Sequence, residues 1–187
     1  DVSGSMSSPV TGYRKGSSSA VRCIDVAALI TACIMRKNTD AEVLPFENSV
    51  VGIDLKIRDS IMTNAQKLAA IGGGGTNCSA PLRILNKEKA KGDLILLISD
   101  NQSWVDDRRS GATELMREWN RFRQRNPGAK MVCIDVQPYG TLQATDREDI
   151  LNIGGFSDQI FSVVGSFVDG SLSSDHWVGA IEAVSIE

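Results

Sequence analysis

Across residues 20–36, apolar side chains fall on nearly every face of a 3.6-residue repeat: Val21, Ile24, Val26, Ala27, Ala28, Leu29, Ile30, Ala32, Cys33 and Ile34. The spacing predicts a helix buried on several sides. Ser17, Ser18 and Ser19 offer N-cap hydroxyls, and Asn38-Thr39-Asp40 ends it. Residues 1–16, rich in Ser and Gly, read as a loop with Tyr13-Arg14-Lys15 at its tip. After residue 41 the period shortens. Runs at 42–46 and 50–55 flank a Glu47-Asn48-Ser49 turn, a hairpin signal, and Pro45 favours an edge position. Ile61, Ala65, Leu68 and Ile71 restore helical spacing over 57–71, which stops at four glycines. A further helix is expected over roughly 80–90, capped by Asn77 or Ser79 and broken by Gly92.

Residues 93–98 form a continuous apolar run, the mark of a central parallel strand buried on both faces; polar Ser99-Asp100-Asn101 follows. Residues 111–125 predict an amphipathic helix with Leu115, Trp119 and Phe122 on one stripe, closed by Asn126-Pro127-Gly128. A second buried strand is expected over 130–136, a short helical segment around 149–152 and a last strand over 159–163. A surface loop over 165–174 and a terminal helix over 174–184 complete the reading. Strands alternating with helices predict an α/β fold: a doubly wound, mostly parallel sheet with helices on both faces. Such sheets bind ligands outside the carboxyl ends of their strands. Asp1 and Asp100 share that rim if a strand precedes Asp1, so the first strand is expected upstream of residue 1.

Composition narrows the class. The 187 residues suit one domain, here 1–187 as part of a larger protein. Hydrophobic residues make up 42% and charged residues 23%, and the net charge of −3 exerts no global pull on nucleic acid. The four cysteines form no CxxC pair and His176 is the single histidine, which argues against zinc. Unpaired thiols in apolar runs fit a reducing, cytoplasmic setting. The longest apolar run, 26–34, is too short for a bilayer, which needs ~20 residues.

The candidate chemistry lies in three stretches: Asp1-Val2-Ser3-Gly4-Ser5, Gly72-Gly73-Gly74-Gly75-Thr76-Asn77, and Ser99-Asp100-Asn101. Their oxygens are hard ligands suited to Mg²⁺, with Mn²⁺ or Ca²⁺ as alternatives. Each residue taken singly also reads as a loop or helix cap; their joint placement at strand ends favours a cation. Carboxylates held outside the cation's immediate shell leave it under-neutralised and attractive to an exogenous anion. The glycine run lacks the Gly-Lys-Ser/Thr of a phosphate-binding P-loop and follows a helix rather than a strand, unlike a dinucleotide loop. An aspartyl-phosphate enzyme needs a proton shuttle where Ser3 stands, and Cys78 has no evident base, so a non-enzyme is expected. Arg108, Arg109, Arg117, Arg121, Arg123, Arg125 and Lys130, near Trp104 and Trp119, form the densest basic stretch. It reads either as an RNA-contacting face or, with Asp106, Asp107, Glu114 and Glu118 interleaved, as a solvated helix face; the second is favoured.

Asp-x-Ser-x-Ser, a Thr after a glycine-rich turn and an Asp ending an apolar strand, in that order, resemble the metal-ion-dependent adhesion site of von Willebrand factor A domains. The resemblance implies that Ser3, Ser5 and Thr76 ligate the metal and that Asp1 and Asp100 bind it directly or through water. A carboxylate from an acidic protein partner would fill the remaining position. Gly74 to Pro81, Ser99 to Trp104, Met131 to Asp135 and Ile153 to Phe156 further resemble the Ro autoantigen (TROVE) family. Family members carry a ring of helical repeats that binds small noncoding and misfolded RNAs in RNA quality control. This implies an RNA partner for the parent protein, contacted through a ring that these 187 residues do not contain.

Overall fold

The structure, a computed structural model, describes residues 1–12, 19–100, 114–137, 144 and 147–172. The 13–15 loop tip, Ser17, Ser18, Asn101, Trp104, Asp106, Asp107, Arg108, Arg109, His176 and the expected 174–184 helix lie outside the described residues. Its order is a 3-10 turn (Gly4–Ser7), α1 (Cys23–Lys37), α2 (Ile61–Ala69), α3 (Ala80–Lys87), β1 (Leu94–Ser99), α4 (Glu114–Arg125), β2 (Lys130–Asp135), β3 (Ile150–Gly154) and α5 (Gln159–Val168). The three strands are parallel in the order β1-β2-β3.

Successive side chains of a strand point to opposite faces, and the two cores follow that alternation. Ile95, Leu97, Met131 and Cys133 face α3 and α4, where Leu82, Leu85, Leu115, Trp119 and Phe122 cover them. Leu96, Ile98, Val132 and Ile134 face α1 and α5 through Ile24, Ala27, Ile160 and Phe167. α1 is enclosed on a second side by α2, with Ala28 and Ala32 against Ala65 and Leu68. The expected α/β architecture, with helices on both faces of a parallel sheet, is what forms.

Several boundaries and two element types differ from expectation. α1 begins at Cys23 with Arg22 in the N-cap position, and the Arg22 backbone N–H donates to Asp25 Oδ2 at 2.9 Å. Ser19 instead accepts from Val21 N–H ahead of the helix. α2 starts four residues later than predicted because Ser60 Oγ caps Thr63 N–H. α3 ends at Lys87, short of Gly92, because Lys89 adopts a left-handed φ of 55° and Ala90 N–H reaches back to Leu85 O. The expected hairpin is a single antiparallel bridge between Phe46 and Val50, with no strand ladder around it. The expected helical segment around 149–152 is β3; Ile150, Leu151 and Ile153 pair with β2 instead. The expected strand over 159–163 is α5, whose buried Ile160 and Phe167 lie seven residues apart on one helical face. That helix absorbs the first residues of the expected 165–174 loop.

β1 also departs from expectation. It is parallel, but it forms the edge of the described sheet, and Leu94, Ile95 and Leu96 are only partly buried. The centre is β2, with Met131, Val132, Cys133 and Ile134 at 0–1% exposure.

Candidate metal centre

The site is built at the carboxyl end of β1. Asp1 lies alongside that strand: its amino group donates to Ile98 O at 2.8 Å, and Val2 N–H donates to Phe46 O at 2.8 Å on the other side. The Asp1 carboxylate is held by Ser3 N–H at 2.8 Å and Ser99 Oγ at 2.5 Å. The chain then turns through the 3-10 segment, where Met6 is fully buried and anchors the loop. This turn presents Ser3 and Ser5 on one side, their hydroxyl oxygens 3.1 Å apart.

Thr76 arrives from the glycine run. Gly4 N–H donates to Gly74 O at 3.2 Å and Asn77 N–H to Glu47 O at 2.8 Å, tying that run between the first loop and the 46–50 turn. Thr76 Oγ1 donates to Ser3 Oγ at 2.9 Å. Thr76, Ser3 and Ser5 therefore form one chain of hydroxyls, with Ser3 and Thr76 each 1% exposed. Asp100, 0% exposed, follows β1 directly and is close enough to the Asp1 amino group to act on it electrostatically.

All five sequence-predicted residues thus gather at one strand end. Three hydroxyls touch in sequence, Asp1 braces the loop that carries two of them, and Asp100 stands buried beside Asp1. Among the described residues no group of three or more His, Cys, Asp or Glu side chains converges. A cation here would be met by neutral hydroxyls backed by two carboxylates, a donor set that fits a hard divalent ion.

The sequence reading missed supporting residues. Ser99 fixes the Asp1 carboxylate, and its place at the strand end beside Asp100 was the available signal. Asp135 is opposite Ser99 in the parallel register and is buried at the equivalent end of β2, so the same strand-end rule points to it. Glu47 and Asn48 lie over the glycines: a Cβ on Gly74 would run into Glu47 Oε2, and one on Gly75 would meet Asn48 Oδ1 at 2.7 Å. Gly74 and Gly75 are therefore needed for close approach, and Gly74 also has a φ of 65°.

The surrounding electrostatics are those of a dry rim. Burial pushes the Cys23 thiol up to about 11, with the Asp100 and Asp135 carboxylates adding to it. Burial, then Cys78, pushes Cys133 up to about 12. Cys23 and Cys133 therefore remain protonated thiols at neutral pH, and Cys78 is buried.

Three residues of the basic stretch are engaged in holding the fold. Arg123 pairs with Asp149 at 3.0 Å and donates to Pro127 O at 2.7 Å. Arg125 donates to Asn86 Oδ1 at 2.5 Å. Lys130 donates to Phe167 O at 2.6 Å and lies 5.0 Å from the centroid of the Phe167 ring.

The "RNA-binding protein RO60" of Deinococcus radiodurans is 23% identical over 146 residues, covering 78% of this chain and 27% of the relative. The crystal structure of the Deinococcus radiodurans RO (RSR) protein superposes with a TM-score of 0.70 at 20% identity, over 92% of this chain and 33% of that one. The chain thus spans between a quarter and a third of the length of these relatives. Residues 1–168, which carry the whole candidate site and every described element, match the family model of the Ro60 von Willebrand factor A (vWA) domain, and the chain belongs to that family.

Proposed function

We propose that this chain is the divalent-cation-dependent docking module of a Ro-type RNA-binding protein. Mg²⁺ is the expected ion, with Mn²⁺ or Ca²⁺ as alternatives, held by Ser3, Ser5 and Thr76 and backed by Asp1 and Asp100. The observation that carries this reading is the unbroken hydroxyl chain of Thr76, Ser3 and Ser5 at a strand's carboxyl end. Three neutral ligands leave most of the ion's charge uncompensated at the surface, where a carboxylate from an acidic protein partner completes the shell. In the parent protein, a ring of helical repeats outside these residues binds small noncoding and misfolded RNA, and the domain docks a partner in cytoplasmic RNA quality control. No catalytic role is assigned to the site: the Cys23 and Cys133 thiols are protonated at neutral pH, and the Asp1 carboxylate, which accepts from Ser99 Oγ and Ser3 N–H, braces the loop.

The test is a Mg²⁺ titration followed by thermal shift. An ion at a hundred times its dissociation constant stabilises the folded state by about 2.7 kcal/mol, which is several degrees for a domain of this size. Asp100→Ala is expected to abolish the response. Equal shifts in wild type and variant, or none in either, overturn the reading. Salt-dependent binding of a structured RNA by the isolated chain, lost on replacing Arg117 and Arg121, would move the function to direct RNA contact.

A further inference from the structure

The turn at 46–50 belongs to the rim as much as to the fold. Its backbone is fastened to the neighbours of two proposed ligands. Val2, next to Ser3, donates its N–H to Phe46 O at 2.8 Å, and Asn77, next to Thr76, donates its N–H to Glu47 O at 2.8 Å. Asn77 Nδ2 also donates to Asn48 O at 3.2 Å. The turn itself is closed by the Phe46–Val50 bridge, by Glu47 N–H to Ser49 O at 3.0 Å and by Val51 N–H to Pro45 O at 2.7 Å. Phe46, 3% exposed, anchors it in the core. Residue 47 is therefore fixed between the loop that carries Ser3 and Ser5 and the loop that carries Thr76.

The Glu47 side chain does not extend away from the protein. Its carboxylate folds back over Gly74, where a Cβ would run into Oε2 and stand 2.5 Å from Cδ, and the residue is partly buried. The carbonyl of the same glycine holds Gly4, between Ser3 and Ser5. Among the described residues no donor or cation pairs with this carboxylate. A third acid thus stands at a rim that already holds Asp1 and Asp100, and like charges at a part-buried edge repel unless a cation lies among them. We infer that Glu47 is an outer carboxylate of the cation site, which accepts hydrogen bonds from water bound to the ion and so favours Mg²⁺ over Ca²⁺. This rests on the cation reading given above. Mg²⁺ gives up its waters reluctantly and keeps several when bound, whereas the larger Ca²⁺ takes protein oxygens directly in a flexible shell. Waters kept on the ion need acceptors for their outward hydrogens. Glu47 hydrogen-bonds none of the three hydroxyls, so its route to the ion is through such a water.

The experiment titrates Mg²⁺ and Ca²⁺ into the 187-residue chain and into Glu47→Gln by calorimetry, and measures urea midpoints of both with and without Mg²⁺. Gln keeps the size and removes the charge. Mg²⁺ affinity is expected to fall about tenfold in the variant, and Ca²⁺ affinity by less. Without an ion, the variant's midpoint is expected to equal or exceed that of the unchanged chain, because one of three like charges is gone. With saturating Mg²⁺ the order is expected to reverse. A merely structural role for Glu47 would lower the midpoint equally in both conditions and overturns the proposal. Equal Mg²⁺ affinity in the two proteins also overturns it, while leaving the cation reading intact. So does an equal loss for both ions, which would make Glu47 a bare charge rather than an acceptor for bound water. Failure of the unchanged chain to bind either ion is a separate result: it sinks the cation reading itself, and this inference with it.

Discussion

At the residue scale the site depends on groups too small to draw attention singly. Gly74 has a left-handed φ and no room for a Cβ beside Glu47. Gly74→Ala is expected to destabilise by about 1–3 kcal/mol through strain and displacement of that carboxylate, read as a lower midpoint in urea. It should also weaken any cation response, since Gly74 O holds Gly4 between the two serines. Thr76→Val keeps the shape but removes the hydroxyl that donates to Ser3. A loss of about 1 kcal/mol is expected, with the Mg²⁺ response falling far more than stability does; a proportionate fall in both would mean that Thr76 only caps the loop. The five proposed ligands were legible in the sequence because each sits at a turn or strand end with an oxygen to offer. Ser99, Glu47 and Asp135 were not singled out, because their roles exist only once Asp1, the glycine run and the strand ends are side by side.

At the scale of elements, what decided the outcome was pairing and covering rather than local propensity. Residues 150–153 look equally short as helix or strand, and the open edge of β2 made them a strand. The 159–163 run looks like a strand if cut at Val163, but Phe167 extends it into a helix that covers Ile134 and Val132. α4 was legible from its stripe, and the reason for its position is a polar tie that periodicity does not reveal. Trp119 Nε1 donates to Asp149 Oδ2 at 2.8 Å, while Arg147 and Arg123 both reach the same carboxylate at 2.9 and 3.0 Å. Asp149→Ala strips the acceptor from a buried indole and two partly exposed guanidiniums. It is expected to cost about 2–4 kcal/mol, with Asp149→Asn recovering part of that by retaining one acceptor. Chemical denaturation of both variants checks this; a loss below 1 kcal/mol in Asp149→Ala would show the tie to be incidental.

At the scale of the whole molecule, the thiols report on packing. Cys23, Cys78 and Cys133 are buried, whereas Cys33 is partly exposed. A thiol reagent at pH 8 is expected to label one cysteine quickly and the other three only after denaturation. Because burial raises the Cys23 and Cys133 pKa values above the ordinary thiol value near 9, their contribution is complete below pH 9. It is lost as pH climbs toward 11 and 12, where the unfolded chain has already released its protons. Fast labelling of three or four thiols in the native protein would show that the two cores open readily. The hydroxyl chain has a kinetic corollary. Ser3 and Thr76 are 73 positions apart, and Asp1 and Ser99 are 98 apart, so the contacts that create the rim close long loops. Such contacts carry the largest chain-entropy cost and tend to form late. On the proposed cation reading, only a chain that has completed its fold captures the ion, and ion uptake during refolding is expected to trail the recovery of helix signal.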